Sequence, residues 1–372
     1  MTAPAREGAR TIRVAEVGDA DESRAIAERI AAADPAAQIY ASPDYHAALA
    51  RITGGRPVTL AASDDGGRSV GVMTYFERTD PSLGTVLNAL PWFGSHGSPR
   101  VDPACGDPDG VAAALVGAFR ARAAEPGVLA GTVVLSPMDD GARHRAVTAA
   151  LMPDASLERV AQVGALPEPG GDFAERLLAG TFTQKTRNLA RKALRQGFAI
   201  ADEADLGDEA WAFLARTHRA NMEAIGAIAK PREHLEALRA MPRGARALFV
   251  AREGGRPVAA LLVLRSGRAA EYFVPAVEAE ARGRQPNTAL IVRAMEWAAG
   301  SGCTAWNWGG TAPSLASLHH FKAGFGAADR RYAFLTVLGP GAGRALAGAT
   351  PAALAGAFPG WFVAPYDLLA RG

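Results

Sequence analysis

Apolar positions along this chain follow two spacings, and these alternate in the same order twice. Residues 11–17 alternate as a short strand, and 21–33 repeat apolar positions at three- and four-residue intervals, which predicts a helix. A second helical piece, DYHAALARI, follows Pro43. Runs at 57–63, 69–78 and 85–90 are rich in Val, Leu, Thr and aromatic residues and predict strands, the first two joined by an Asp-Asp-Gly-Gly hairpin turn. Helix 109–124, strand 131–136, helix 141–151 and strand 157–166 complete this half, and PEPGG at 167–171 reads as a linker. The second half has helices at 182–196, 208–225 and 232–241, and strands at 245–252, 257–265 and 269–277. It ends in helix 287–299, a strand from 304, a helix stopping at 324 and a strand at 331–338. Both halves read helices, three strands, helix, strand, helix, strand. The expected fold is therefore α/β (α+β): two tandem domains with mixed, mainly antiparallel sheets, at 1–166 and 172–340, with an Ala/Gly/Pro-rich extension at 341–372.

Composition narrows the function classes. A chain of 372 residues with 49% hydrophobic content has enough apolar side chains for two cores. The formal net charge of +2 argues against a surface that is basic throughout, so any anion site must be local. Only Cys105 and Cys303 occur and the N-terminus has no apolar leader core, which points to a reducing cytoplasm without a disulfide frame. The apolar tract at 342–363 contains Arg344, Pro351 and Pro359, which makes it a poor membrane span. No metal is expected, because adjacent His319 and His320 diverge on a helix.

Three stretches carry candidate chemistry. In TAWNWGGTAPSLASLHHFKAGFG (304–326), Gly309 and Gly310 leave backbone uncovered at a strand end, flanked by Trp306 and Trp308 on one strand face. Lys322 is the only cation on the following helix, next to Phe321, and a lysine held there can stabilise the oxyanion of acyl transfer. A corner packed with tryptophans beside a solvated lysine fits the same residues. In TFTQKTRNLARKALRQGFAI (181–200), Phe182, Thr186, Leu189, Ala190, Ala193 and Leu194 fall on one helix side, opposite Lys185, Arg187, Arg191, Lys192 and Arg195. No acid lies between Glu175 and Asp202, so i,i+4 pairing is missing and the face suits phosphate, although a solvated face is the plainer alternative. In NALPWFGSHGSP (88–99), Gly94 and Gly97 permit tight turns, and Asn88, Trp92, Ser95 and His96 offer amide, stacking, hydroxyl and imidazole contacts. His96 reads as a contact residue rather than a base.

These three stretches, in this order and spacing, resemble the GNAT superfamily, and within it the Fem-type peptidyltransferases and their acetyltransferase-like relatives. The resemblance covers about Asn88 to Gly326 and implies tandem GNAT-like domains, the first on the acceptor side and the second on the donor side. It implies that Lys322 and Phe321 lie at the donor carbonyl as transition-state stabilisers. It also implies that Lys185, Arg187 and Arg191 grip a phosphorylated acceptor or a tRNA acceptor end, near Trp308, Gly309 and Gly310. The 88–99 loop would face the cleft in which an acceptor rests. The chain departs from acyl-CoA enzymes at EARGRQPNTAL (280–290): one glycine, Gly283, stands where several normally expose amides to pyrophosphate, and Pro286 removes an amide. Arg282, Arg284, Gln285, Asn287 and Tyr272 remain as donor-binding candidates.

The expected activity is therefore amide formation on an amine acceptor, with aminoacyl-tRNA favoured as donor, no cofactor, and a monomer as a plausible state. The acceptor is open among a peptidoglycan precursor, another amino-sugar nucleotide and a natural-product amine. An acyl-CoA-dependent N-acetyltransferase of a small metabolite and a non-catalytic tRNA- or phosphate-binding module are the alternatives. His319, His320, Glu271 and Asp139 are candidate bases, while His218 reads as a helix residue without a catalytic task.

Overall fold

A computed structural model describes residues 12–92, 94, 96–311 and 315–365. The chain forms two compact units that are not its linear halves. One comprises 12–34, 55–157 and 334–365 of the described residues, the other 35–54 and 158–333. The expected boundary near 166 follows sequence order, whereas the division follows strand pairing and falls inside two strands, β7 (Ala155–Ala165) and β13 (Ala328–Leu338).

The first unit contains β1 (Arg13–Glu16), α1 (Ala20–Ala33), β2 (Arg56–Ser63), β3 (Ser69–Asp80), β4 (Gly84–Ala89), β5 (Arg100–Val101), α3 (Pro108–Ala123), β6 (Val128–Val134) and α4 (Gly141–Leu151). Its sheet runs β1-β2-β3-β4-β6 and ends on the last residues of β13, with β5 on β3 and only the β4–β6 pair parallel. The β2–β3 turn forms because the Asp64 carboxylate accepts from the amides of Gly66 and Arg68, both at 3.0 Å. The C-terminal extension folds into α11 (Ala342–Ala347) and α12 (Pro351–Ala357), and belongs to this unit. Leu346, Leu354, Phe358 and Val363 are buried with Val86 and Leu129, so a segment whose Ala/Gly/Pro composition suggested a tail is part of the core.

The second unit contains α2 (Pro43–Thr53), α5 (Phe173–Gly180), α6 (Gln184–Leu194), β8 (Ala199–Asp202), α7 (Glu209–Glu223), α8 (Arg232–Arg239), β9 (Arg246–Glu253), β10 (Arg256–Ser266), β11 (Ala269–Val277), α9 (Pro286–Gly300), β12 (Ala305–Thr311) and α10 (Ala316–Gly324). Its sheet order is β7-β12-β11-β10-β9-β8, antiparallel except between β11 and β12. The helix expected at 182–196 is α6, and α5 is a further helix that precedes it. Thr183 separates them with an extended backbone (φ −59°, ψ 156°), and its hydroxyl caps the α6 N-terminus on Thr186 N. The four-residue β8 carries too short a pattern to read from sequence.

Candidate active site

The site is built where β11 and β12 part. They pair in parallel only at Ala269↔Ala305, Ala270↔Trp306 and Glu271↔Asn307. Beyond that point β11 stays paired with β10 on its other edge, while β12 slips register against β7 between Asn307 and Gly310. The bulge needs glycine. Gly309 has φ +70°, and a Cβ on Gly310 would lie 2.6 Å from the Tyr332 hydroxyl. Asn307 Oδ1 accepts from Gly309 N at 2.9 Å and sets the turn.

Lys322, on α10 and only 3% exposed, holds this bulge. Its Nζ donates to Gly309 O at 3.2 Å, Gly310 O at 3.1 Å and Thr311 Oγ1 at 2.8 Å. All three ammonium donors are thus spent on the strand end. Thr311 Oγ1 in turn donates to Gln162 Oε1 at 3.2 Å, and Gln162 Nε2 donates to His319 O at 3.1 Å, which ties β7, β12 and α10 together. Burial lowers the Lys322 amine to about 8. Trp308 is 2% exposed and its ring lies 5.0 Å from those of Tyr272 and Phe325 and 6.1 Å from that of Phe321. It is a core residue behind the bulge, with Phe321 half-buried against it.

Glu271 sits at the parting point, 1% exposed. Gln38 Nε2 donates to its Oε1 at 2.9 Å and the Tyr40 hydroxyl to its Oε2 at 3.3 Å. Burial outweighs these bonds and lifts the carboxyl from its ordinary 4.5 to about 8. Between those values the folded protein keeps a proton that the unfolded chain has lost. The stabilisation is complete below pH 4.5 and is lost as pH rises through about 8. Glu271→Gln removes this term. Chemical denaturation of wild type and variant across that window is expected to show wild-type stability falling relative to the variant by up to roughly 1.4 kcal/mol per pH unit.

The remaining expected donor contacts are largely committed to local bonds. Residues 279–284 form a 3-10 turn, Gln285 turns left-handed (φ 62°), and Pro286 starts α9. Arg284 pairs with Glu253, Gln285 Nε2 donates to Arg282 O at 3.0 Å, and Asn287 Nδ2 donates to the Tyr272 hydroxyl at 2.9 Å. Arg282 is exposed. On α6, Lys185 is exposed and Arg187 half-buried, but Arg191 pairs with Glu175 at 3.1 Å. The acid missing between 175 and 202 is therefore supplied by α5, which corrects the expectation of an unpaired face at that residue. The α6 N-terminus abuts the end of α10. Thr183 N donates to Gly324 O at 2.9 Å, and a Cβ on Gly324 would meet Thr186 Oγ1 at 2.5 Å.

In the other unit, the 88–99 loop is structural where it is described, which corrects the expectation that it presents contacts to a ligand. Asn88 Oδ1 accepts from Phe362 N at 2.9 Å and its Nδ2 donates to Phe362 O at 2.7 Å, which clasps the C-terminal extension. Trp92 is buried with its amide on Gly360 O at 2.7 Å. His96 is 5% exposed, and burial lowers it to about 3, so it stays neutral. Ser95 lies outside the described residues. Asp139 is occupied by Arg100, whose Nη2 reaches its two oxygens at 2.8 and 2.6 Å, and by Ser98 Oγ at 2.7 Å, so it is no free base. His319 bonds Asp329 at 2.8 Å and His320 is exposed. His218 is buried on α7, lowered to about 4, and accepts from Lys230 N at 3.2 Å. Gln38, Tyr40, Gln162, Asn307 and Thr311 were missed by sequence reasoning. The available signal was Glu271 itself, a lone acid in the apolar strand AAEYFVPAV.

Residues 181–323, all within the second unit, match the family model described as an acetyltransferase (GNAT) domain. FemX shares the fold with a TM-score of 0.66 at 13% identity, over 87% of this chain and 97% of that one. A tandem GNAT protein from the clavulanic acid biosynthesis pathway aligns with a TM-score of 0.53 at 17% identity, over 88% and 98%. The C-terminal domain of a putative lysylphosphatidylglycerol synthetase from Agrobacterium fabrum aligns at 0.54 and 15%, over 88% and 95%. None of the curated proteins matches the chain. The second unit thus carries a match to the GNAT acetyltransferase domain that contains the parted strands, the glycine bulge and Lys322, inside a fold shared with FemX and a tandem GNAT protein.

Proposed function

We propose that this N-acyltransferase moves an aminoacyl group from aminoacyl-tRNA to the amine of an acceptor, at the parted strands of the second unit. The observation that carries the choice of donor is the start of α9. It is a 3-10 turn closed by Gln285 and Pro286, with Arg284 spent on Glu253, and so lacks the run of bare glycine amides that hold the pyrophosphate of coenzyme A. The likeness to FemX supports the same donor class. So does the fold shared with the C-terminal domain of a putative lysylphosphatidylglycerol synthetase from Agrobacterium fabrum, a name that denotes transfer of an aminoacyl group.

In this reaction a neutral amine attacks the ester carbonyl, the C–N bond forms, the bond between the carbonyl carbon and the ribose oxygen breaks, and the proton lost from the nitrogen ends on that oxygen as the ribose hydroxyl. Lys322 fixes the Gly309–Gly310 backbone beside Phe321, and that rigid strand end positions the reacting carbonyl. Lys185 and Arg187 offer positive charge to the donor's phosphates at the α6 face. The acceptor is a phosphorylated amino-sugar precursor or a natural-product amine.

Incubating the protein with a pool of labelled aminoacyl-tRNAs and, separately, labelled acetyl-CoA, each with small amine acceptors, tests the proposal. Amide-linked label from one aminoacyl-tRNA is expected, and product from acetyl-CoA alone would overturn it. The second reading, an acyl-CoA-dependent N-acetyltransferase, is favoured by the acetyltransferase family match and by the exposed Arg282 beside the α9 start. It predicts a rise in melting temperature with coenzyme A, because a ligand that binds only the folded state stabilises it.

A further inference from the structure

The second unit has an opening that the transfer reaction does not use. A cavity of about 370 Å³ is bounded by the end of α6, by β8 and β9, and by one face of α9. Three of its walls are aromatic. Phe198 and Trp297 are half-buried, and Phe249 is buried behind them with its ring 5.9 Å from that of Trp297 at 70°. The rim carries both signs of charge. Arg293 and Glu296 pair at 2.8 Å along α9 with side chains 54% and 40% exposed. Asp202 Oδ1 accepts from Leu248 N at 2.9 Å and Ala204 N at 3.0 Å, which fixes the carboxylate and leaves Oδ2 without a bond among the described residues. Ala193 and Leu194 line the cavity from α6, and on either side of them Lys192 and Arg195 are exposed and enter no ion pair among the described residues. An aliphatic ligand would cover these charges without answering them, and a bare anion would leave the rings unused. A planar ring with hydrogen-bond donors and acceptors on its edge and a phosphate attached uses all of them.

We propose that this cavity binds a nucleotide, with the base against Phe198 and Trp297, its edge on Asp202 and Arg293, and its phosphate toward Lys192 and Arg195. The nucleotide is either free or an unstacked member of a tRNA strand, and only the naming of tRNA rests on the function proposed above. For that source α6 provides a path. Lys185 and Arg195 stand ten residues apart, about 15 Å of helix, so a strand held at Lys185 and Arg187 extends along α6 to the cavity. The cavity is separate from the parted strands, because β8 is the edge of the order β12-β11-β10-β9-β8.

Calorimetry on the full chain at pH 7 and low salt tests the site, with AMP, GMP, CMP and UMP as probes and their nucleosides and ribose 5-phosphate as controls. At least one monophosphate is expected to bind, its nucleoside about tenfold more weakly, and ribose 5-phosphate not detectably. Phe198→Ala removes one aromatic wall and is expected to weaken the nucleotide about tenfold. The double variant Lys192→Glu/Arg195→Glu changes exposed positions that support no core contact, so its folding is not in question. It is expected to reduce the monophosphate to the affinity of its nucleoside and to leave the nucleoside where it was. Deacylated tRNA added in competition separates the sources: displacement of the bound monophosphate assigns the cavity to a tRNA strand, and its retention assigns the cavity to a free nucleotide. No binding of any monophosphate, ribose 5-phosphate binding as tightly as the nucleotide, or unchanged nucleotide affinity in the double variant overturns the proposal. No turnover is measured, so a failed transfer assay and a failed nucleotide site are distinguishable.

Discussion

Exchange of Lys322 for methionine is expected to lower acyl transfer by about a hundredfold or more and to destabilise the fold by about 1–3 kcal/mol. Methionine preserves the length and apolar stem but removes all three donors to Gly309 O, Gly310 O and Thr311 Oγ1. Those acceptors then lie beside an apolar side chain, and Gln162 loses its ordered partner in Thr311. The two readouts separate two roles. A lysine that works through the bulge lowers stability and rate together, because the backbone that places the carbonyl relaxes. A lysine that donates directly to the oxyanion must first release one of its acceptors, and its loss reduces kcat with little change in the denaturation midpoint. Lys322→Arg adds a control: the larger planar fork does not fit the pocket that matches three acceptors to a compact ammonium, so it is expected to fail as well.

Gly97→Ala is expected to destabilise the protein by about 3 kcal/mol or more while Gly94→Ala costs about 1–2 kcal/mol, both read from urea denaturation. A Cβ on Gly97 would lie 1.8 Å from the carbonyl oxygen of Ala89 and 2.2 Å from its carbon. Both are backbone atoms of β4, and Gly97 is itself tied by its amide to Val134 O at 2.9 Å, so no flexible side chain can give way. Gly94 has φ +80° at an exposed position, so its substitution brings the strain of a left-handed backbone. If these glycines served instead to admit a ligand, Gly97→Ala would abolish binding and leave the midpoint where it was.

Local pattern by itself determined much of this protein. Alternation and helical spacing placed the strands at 57–63, 69–78, 257–265 and 269–277 and the helices at 21–33, 109–124 and 287–299, because burial on one face leaves its period in the sequence. The WNWGG bulge and the lysine after HHF were legible for the same reason: glycine pairs and lone cations depart from those periods. Pattern could not distinguish a glycine that admits a ligand from one pressed against a neighbouring backbone, and so the 88–99 loop looked like a binding loop until Asn88 was found on Phe362. Nor could it foresee that Glu175 of α5 meets Arg191, that residues 35–54 carry Gln38 and Tyr40 to Glu271, or that the C-terminal extension completes a core around Val86 and Leu129. The two contacts to Glu271 join segments 233 and 231 residues apart, and the burial that lifts its carboxyl to about 8 exists only when those segments meet. A period in the sequence records which face is buried, while the partner that buries it, and the charge state that follows, are set by tertiary packing.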